Sequence, residues 1–300
     1  MIYRILLVLG KLIPGQTRRT QFIDWARSRF SVQAMMDSAL ATHLAEVEQA
    51  IYFHAHLFRS PTILSVDEAL DALIDGRSIA RFGDGELTTM EGRFDVFQVP
   101  SERLSRRLAE VLSSDAPGLL VGISSLAYDT RGDLTDAQKH FYAQNARWMR
   151  EILTQHLQEG KIYAPTEVTL GHTIYRESYD RRSYFDRVRR IWEGASVVLI
   201  HGDGIFDGFT HDIFDNAASV EHILAPKQDA FDHYDDILQQ ALQAPQDSLI
   251  IAILGPTATV LAYDLHRAGY RALDLGHIAK SYDWWLNGRY GDEAEFFAAD

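Results

Sequence analysis

Two carboxylates stand two residues apart in the segment 81–86, directly after an apolar run. In extended backbone Asp84 and Glu86 would share one side, and Gly83 and Gly85 would let a turn bring both toward one ion. Two hard oxygen ligands suit Mn or Mg, which complete their shell with water and phosphate oxygens. The motif therefore makes Asp84 and Glu86 candidate metal ligands and catalytic residues. Judged by spacing alone, an acidic surface turn is the alternative.

A second glycine-containing segment, at residues 199–204, ends another apolar run. Gly202 leaves room for close approach of a ligand to the backbone. Asp203 is a candidate base for an acceptor hydroxyl, or an outer partner of a metal. The same residues also suit an ordinary strand-to-loop turn, so both interpretations stay open.

A third segment, at residues 253–259, places Gly255, Pro256 and Thr257 where an apolar run gives way to a helical pattern. Proline suits the first helical turn, and the exposed amides of a helix N-terminus bind phosphate oxygens. The sequence has no Walker or GxGxxG motif, which argues against ATP hydrolysis and nicotinamide chemistry. His277 follows a glycine at the end of the last apolar run, where it could contact a metal or a diphosphate, although a lone histidine is more often structural.

Strands and helices are predicted to alternate around these residues. Six apolar segments predict strands, namely SIARFG, GLLVGI, SVVLIHGDG, SVEHILAP, SLIIAILG and RALDLGHI. Helical patterns lie between them, and capping boxes at Ser65–Glu68 and Thr135–Gln138 open two helices. We therefore predict an α/β fold with a mainly parallel, Rossmann-like sheet and helices on both faces. Ligands of such sheets bind beyond the carboxyl ends of the strands.

Composition narrows the class of partner. The chain has 300 residues, 46% of them hydrophobic, a net charge of -13 and no cysteine. The negative average surface makes nucleic acid and anionic lipid unfavourable partners, whereas a small anionic ligand can still bind in a cleft through local amides, cations or a metal. The absence of cysteine excludes disulfides and thiolate metal sites and fits a cytoplasmic protein.

Residues 1–60 are predicted to form an N-terminal helical extension, and residues 61–300 a single domain. Apolar residues recur at mostly helical spacing over 38–58, which predicts a helix with one buried face. The apolar start of the chain is too short to span a bilayer. Residues 1–19 could instead rest on the inner face of the membrane as an amphipathic anchor, or pack on the domain or on a partner subunit of a homo-oligomer.

Three segments, in this order, resemble the GT-D-type glycosyltransferases, a family first defined as a domain of unknown function in bacterial glycosylation loci. They are SIARFGDGEL, then FDNAASVEHILAPKQDAFDHYDDIL, then LGPTATVLAYDLHRAGYRALDLGHI followed by YDWW. The resemblance implies a Rossmann-like fold, a UDP-sugar donor such as UDP-glucose, and a divalent metal. The D-x-E motif of the family falls on Asp84 and Glu86, its G-H element on Gly276 and His277, and its G-P-T element on residues 255–257.

The chain departs from the family pattern after the central strand. The family carries a Ser-Arg pair following Gly-Glu, whereas Gly202 and Asp203 are followed here by Gly-Ile-Phe. A basic contact to phosphate is therefore missing at this place. Arg81 or Arg176 could replace it.

These observations predict a metal-dependent glycosyltransferase that moves a hexose from a UDP-sugar to a glycan, a glycoprotein or a polysaccharide precursor. Asp84, Glu86 and His277 are its expected metal ligands. The expected donor-binding residues are Arg81, Gly83, Gly85, Gly202, Gly255, Pro256, Thr257 and His277. A metal-dependent phosphohydrolase and a non-catalytic nucleotide-sugar-binding module are the alternatives.

Overall fold

The computed structural model describes residues 15, 18–23, 39–40, 42–47, 60–93, 98–129 and 133–289. Contacts within the chain group it into two compact units, residues 1–58 and residues 59–300. That residues 1–60 and 61–300 are separate domains stays a prediction. Among the described residues, no helix combines the length and the apolar character needed to cross a bilayer.

The described parts of the first unit are largely helical. Residues 18–23 and 42–47 adopt helical backbone, in agreement with the predicted N-terminal extension. Leu40, Leu44 and Val47 are exposed, so the predicted buried face is wrong at these three positions. The rest of the predicted helix, and most of the segment expected to contact a membrane, lie outside the described residues.

The second unit contains one sheet whose eight strands pair in the order β1-β4-β3-β2-β8-β7-β5-β6. Every pairing between these strands is parallel, which confirms the predicted sheet. The strands are β1 (Thr62–Ile63), β2 (Ser78–Arg81), β3 (Leu119–Ile123), β4 (Ile162–Pro165), β5 (Ser196–Gly202), β6 (Ser219–Ala225), β7 (Leu249–Ile253) and β8 (Arg271–Asp274).

Helices connect the strands and cover both faces of the sheet. They are α1 (Val66–Ile74), α2 (Asp84–Met90), α3 (Glu102–Leu112), α4 (Asp136–Leu153), α5 (Arg181–Arg189), α6 (Tyr234–Ala241), α7 (Pro256–Arg267) and α8 (Ile278–Leu286). Ser65 caps α1 in the predicted capping box with Glu68, and Thr135 caps α4 by accepting a hydrogen bond from the amide of Gln138.

Two apolar cores lie on opposite faces of the sheet. Successive residues of β5 alternate between them, since Val198 and Ile200 pack with α3, α4, α6 and α7, whereas Val197 and Leu199 pack with α1, α5 and α8. This alternation follows from the two-residue period of a strand. Burial on both faces explains why the strands are continuously apolar in sequence.

Side chains reinforce the junction of β2 and β8 at the centre of the sheet. The strands pair at Ile79 and Leu273. At one end of the junction, the amide of Ala272 donates to Oγ of Ser78. At the other end, the amide of Arg81 donates to Oδ2 of Asp274. Polar side chains therefore extend the strand pairing in the middle of the sheet, directly beneath the carboxyl edge.

Candidate active site

A cavity of about 410 Å³ opens at the carboxyl edge of the sheet. Its wall is formed by residues that follow each of β2 to β8, together with side chains of α4. Parallel strands present all their carboxyl ends at one edge, so loops distant in sequence meet there. The cavity is thus located where the sequence predicted the binding site.

The acidic motif lies in the first turn of α2, not in the extended backbone that its spacing suggested. Asp84 is the first helical residue, and Gly83 is the N-cap. The amide of Gly83 donates to Oε2 of Glu86 at 2.7 Å, so Glu86 completes a capping interaction. Gly83, Asp84, Gly85 and Glu86 all line the cavity, as expected for ligand-binding residues.

Burial raises the pKa of Glu86 to about 8, and the negative charge of Asp274 raises it further, while the bond from Gly83 and the charge of Arg81 oppose the shift. Asp84 is exposed to solvent within the cavity wall. The two carboxylates of the motif therefore have different environments. Asp84 is accessible to solvent, and Glu86 is partly buried against the helix end.

Arg81 forms an ion pair with Asp274 below the cavity. Its Nη2 lies 2.9 Å from Oδ1 of Asp274, and its Nε donates to the carbonyl of the same residue at 2.7 Å. Its Nη1 donates to Oγ1 of Thr169 and to the carbonyl of Thr166. A Cβ on Gly276 would lie 2.3 Å from Nη2 of Arg81, so the glycine makes room for this arrangement. Arg81 lines the cavity, but most of its donors are engaged within the protein.

His277 lies in the cavity wall immediately before α8. Within the described part of the chain, no group of three or more His, Asp or Glu side chains is arranged to hold a metal ion. An ion bound here would therefore take at most two such ligands and complete its shell with water or ligand phosphates, as Mg and Mn commonly do. The exposed carboxylate of Asp84 with Glu86 beside it fits that requirement. The assignment of His277 as a metal ligand stays a prediction.

The segment after β7 forms the predicted helix start. Gly255 has a φ of 51° and is the N-cap of α7, and Pro256 is its first residue. Both line the cavity. Thr257 is fully buried outside the cavity wall, with Oγ1 3.5 Å from Oε1 of Gln98. Its amide is bonded to a carbonyl of the preceding turn, so the expected phosphate contact at Thr257 lacks a free donor.

The last residue of β5, Gly202, lines the cavity, whereas Asp203, which follows it, does not. A Cβ on Gly202 would lie 2.9 Å from Cα of Lys227, so glycine permits the loop after β6 to approach. Lys227 lines the cavity and makes no hydrogen bond or ion pair with another described residue. Asp203 is exposed and does not line the cavity, and its role as a base stays a prediction. Lys227 provides a cation near the place where the family's Ser-Arg pair is missing.

Arg176 and the aromatic residues of the YDWW segment lie outside the cavity wall. Arg176 pairs with Asp136 at 2.9 Å and does not line the cavity, so it does not replace the missing basic contact in this structure. Tyr282 and Trp284 are buried, and Trp285 stacks on Phe185 with ring centroids 5.0 Å apart. These aromatic residues therefore pack the core.

Sequence reasoning missed three residues in and behind the cavity wall, namely Ser124, Tyr142 and Glu167. Ser124 and Tyr142 line the wall, and the fully buried Glu167 binds both of their hydroxyls. Ser124 and Glu167 follow the carboxyl ends of β3 and β4, so the rule that led to Asp84 would also have indicated them. The short apolar segment of β4 is a weak signal for a strand, which explains the omission.

Comparisons with known proteins agree with this geometry. The family model described as "Glycosyltransferase GT-D fold" matches residues 79–291. The "Probable glycosyl transferase Gly" of Streptococcus gordonii is 31% identical over 232 residues, which cover 77% of this chain and 34% of that protein. "Glycosyltransferase GlyD" of Streptococcus pneumoniae serotype 4 is 28% identical over 227 residues, covering 75% of this chain and 28% of that protein. The chain therefore spans about a third or less of the length of these relatives.

Solved structures show the same fold. A structure of the domain of unknown function 1792, described as having a distinct glycosyltransferase fold, superposes with a TM-score of 0.73 at 27% identity and covers 80% of this chain and 90% of that one. A structure described as a new glycosyltransferase of this domain from Streptococcus sanguinis gives 0.72 at 28% identity, covering 80% and 93%. This chain belongs to the GT-D-fold glycosyltransferase family.

Proposed function

We propose that the chain transfers a sugar from a nucleotide-sugar donor to a hydroxyl of a glycan, glycoprotein or polysaccharide-precursor acceptor. The observation that carries the proposal is the cavity itself. It joins the exposed carboxylate of Asp84, the cation of Lys227 and the start of α7 at the carboxyl edge of a parallel sheet. The choice of UDP and of glucose rests on the family resemblance, because the cavity geometry selects neither.

Asp84 would hold a divalent Mn or Mg ion, with Glu86 as the second ligand. When bound, the ion supplies positive charge against the donor diphosphate and its leaving group. Lys227 contributes a second positive charge from the other side of the cavity, and the positive end of the α7 dipole favours the same phosphates. Charge that develops on the departing nucleoside diphosphate would thus be stabilised more than charge in the bound donor, which raises turnover.

Apolar side chains of the loop after β5 line the same cavity. Ile205, Phe206 and Phe209 contribute to its wall, and the rings of Phe206 and Phe209 meet edge to face at 5.7 Å. Such a wall limits the water that can reach the reacting carbon, which favours transfer to an acceptor over hydrolysis. The proposal keeps Asp203 as the base that takes the proton of the acceptor hydroxyl, although Asp203 does not line the cavity.

Ligand-induced thermal stabilisation tests the donor site without an acceptor. A ligand that binds only the folded state stabilises it by about 2.7 kcal/mol at one hundred times its Kd. We expect UDP to raise the melting temperature in a Mn-dependent way for the wild type, and Asp84→Asn to abolish the Mn dependence. Asp247→Asn is the matched control, because Asp247 is exposed and precedes β7 at the opposite edge of the sheet.

The outcomes separate the candidate functions. No shift with any nucleoside diphosphate or nucleotide sugar would contradict the proposal. A shift equally dependent on Mn in Asp84→Asn would contradict the metal assignment alone. Hydrolysis of a simple phosphoester would favour a phosphohydrolase. Donor binding without transfer or donor hydrolysis, across a broad acceptor panel, would favour a non-catalytic binding module.

A further inference from the structure

The loop after β6, residues 226–229, carries Lys227 and ends in an unusual backbone conformation. Asp229 has a φ of 54° and a ψ of 33°, in the left-handed region. It is the only non-glycine residue with a positive φ in the described part of the chain. Residues with a Cβ seldom adopt this conformation, although Asp and Asn tolerate it best, and it persists where neighbouring contacts impose it. The contacts around Asp229 must therefore hold the loop in this form.

One of these contacts reaches a distant segment. Asp229 precedes a short 3-10 helix, Ala230–His233, and an Asp side chain in this position commonly accepts a hydrogen bond from an amide of the following turn. Here the side chain makes no such capping bond. Its Oδ1 instead accepts from the amide of Val99 at 2.7 Å, and the two residues are 130 positions apart. The carboxylate thus ties the loop to the segment between α2 and α3.

The same segment binds the chain again just beyond the loop. Gln98 is buried, and its Oε1 accepts from the amide of Phe231 at 2.9 Å. The end of β5 holds the loop at a further point, since a Cβ on Gly202 would lie 2.9 Å from Cα of Lys227. Contacts therefore fix the backbone on both sides of Lys227, whose exposed side chain lines the cavity.

A fixed backbone matters for Lys227 because a lysine side chain is long and flexible. Ordering a mobile group on binding costs conformational entropy, so a loop that is already in place raises affinity without any additional contact to the ligand. Asp229, Val99 and Gln98 do not line the cavity. An effect of these residues on a ligand would therefore pass through the loop that they hold.

We propose that Asp229 is a positioning residue for the donor diphosphate: its left-handed backbone and its bond to Val99 hold Lys227 where the lysine contacts the phosphates. The assignment rests on the proposed function, in which Lys227 binds the diphosphate, and deepens it. If the held loop binds the nucleotide better, then the bound nucleotide must stabilise the held loop by the same factor. Both directions of this coupling can be measured.

The first test removes the bond and keeps the backbone conformation. Asp229→Gly lacks the acceptor but adopts the left-handed conformation freely. It should weaken UDP binding in Mn by about two- to thirteenfold in titration calorimetry, the effect of one hydrogen bond, and by no more than Lys227→Ala does. Asp229→Asn keeps an acceptor oxygen and tolerates the left-handed conformation, so it should bind UDP at least as tightly as the wild type. Asp180→Gly is the matched control, because Oδ1 of Asp180 also accepts from an amide, that of Ser183, outside the cavity wall.

A double-mutant cycle separates positioning from general damage to the fold. If Asp229 acts through Lys227, then Asp229→Gly should change the Kd of UDP by less than about twofold in a chain that already carries Lys227→Ala. An equal loss in both backgrounds would overturn the positioning role. So would a loss in Asp229→Asn as large as that in Asp229→Gly, or a Kd that Lys227→Ala leaves unchanged.

Hydrogen exchange of the wild type gives a readout that needs no variant. Saturating UDP and Mn should slow the exchange of the Val99 amide, whereas the Ser183 amide, which is bonded to Asp180, should exchange as before. Unchanged exchange at Val99 with UDP bound would overturn the positioning role while the donor site stands. A wild type that bound no nucleoside diphosphate or nucleotide sugar would overturn the proposed function and this inference with it.

Discussion

Asp274→Asn tests whether the ion pair beneath the cavity holds the two halves of the sheet together. The side chains of Asp274 and Arg81 are 4% and 11% exposed. Asp274 also accepts hydrogen bonds from the amide of Arg81 and from Oγ1 of Thr259, so it joins β8 to β2 and to α7. The substitution keeps the shape but leaves Arg81 buried without its counter-charge.

Removing one partner of a buried ion pair costs about 3–5 kcal/mol, because the remaining charge is uncompensated. For a unit of this size that corresponds to roughly 6–20 °C in melting temperature. The free energy of unfolding would be measured by urea denaturation at pH 7, with the midpoints compared at equal slope. A loss of several kcal/mol would place the pair among the largest single contributions to the stability of this unit.

Asp235→Asn is the control. Asp235 pairs with Arg103 through two hydrogen bonds, at 2.9 and 2.5 Å, so the pairing chemistry is the same. Its side chain is 71% exposed and that of Arg103 is 53% exposed. An exposed pair contributes only about 0–1 kcal/mol. If both variants lost the same stability, burial would not be the deciding factor and the reasoning would be refuted.

Two further predictions concern pH and charge. Burial lowers the pKa of His172 to about 4; the bond of Nε2 to the Arg289 carbonyl opposes this shift, and the positive charge of Arg181 adds to it. The unfolded chain therefore binds more protons than the native one between about pH 4 and 6.5, and the free energy of unfolding should fall by roughly 1–3 kcal/mol as the pH falls through this window. Denaturation midpoints at pH 7 and 4.5 should show a smaller change in His172→Gln, and an identical change would disprove this assignment. Lys227→Ala should weaken UDP binding about five- to thirtyfold, from about 1–2 kcal/mol for a charge-assisted hydrogen bond, and reduce its dependence on salt. Calorimetric titration at two salt concentrations would measure both effects. Arg182→Ala is the control, because it removes an exposed charge outside the cavity wall. If this control weakened UDP binding as much as Lys227→Ala, the overall charge of the protein and not the position of Lys227 would explain the effect.

The strands and several helix starts could be predicted because their signals are local. β5 is apolar at successive positions since both faces are buried, and Ser65 precedes α1 with Glu68 at the capping spacing. The placement of Asp84 and Glu86 in the cavity wall was also predicted, although their backbone is helical and not extended. Glycine permits either conformation, so the motif alone does not choose between them.

The partners of the predicted residues could not be read from the sequence. Arg81 is a cation next to the acidic motif, which suggested a phosphate contact, yet its main partner is Asp274, 193 residues away. Thr257 stands beside a helix start, but its side chain faces Gln98 and not the cavity. In each case the contact depends on which strands are neighbours.

The sequence by itself determined the α/β alternation, the parallel sheet, the edge at which ligands bind and the acidic motif located there. Periodicity and glycine positions are properties of adjacent residues, so they are present in the unfolded chain as well. Only the tertiary structure decided the order of the strands in the sheet. That order also decided which residues form the ion pair of Arg81, where the cation of Lys227 lies and which groups form the buried network of Glu167. Those contacts depend on close packing between distant segments, which forms only when both faces of the sheet are covered.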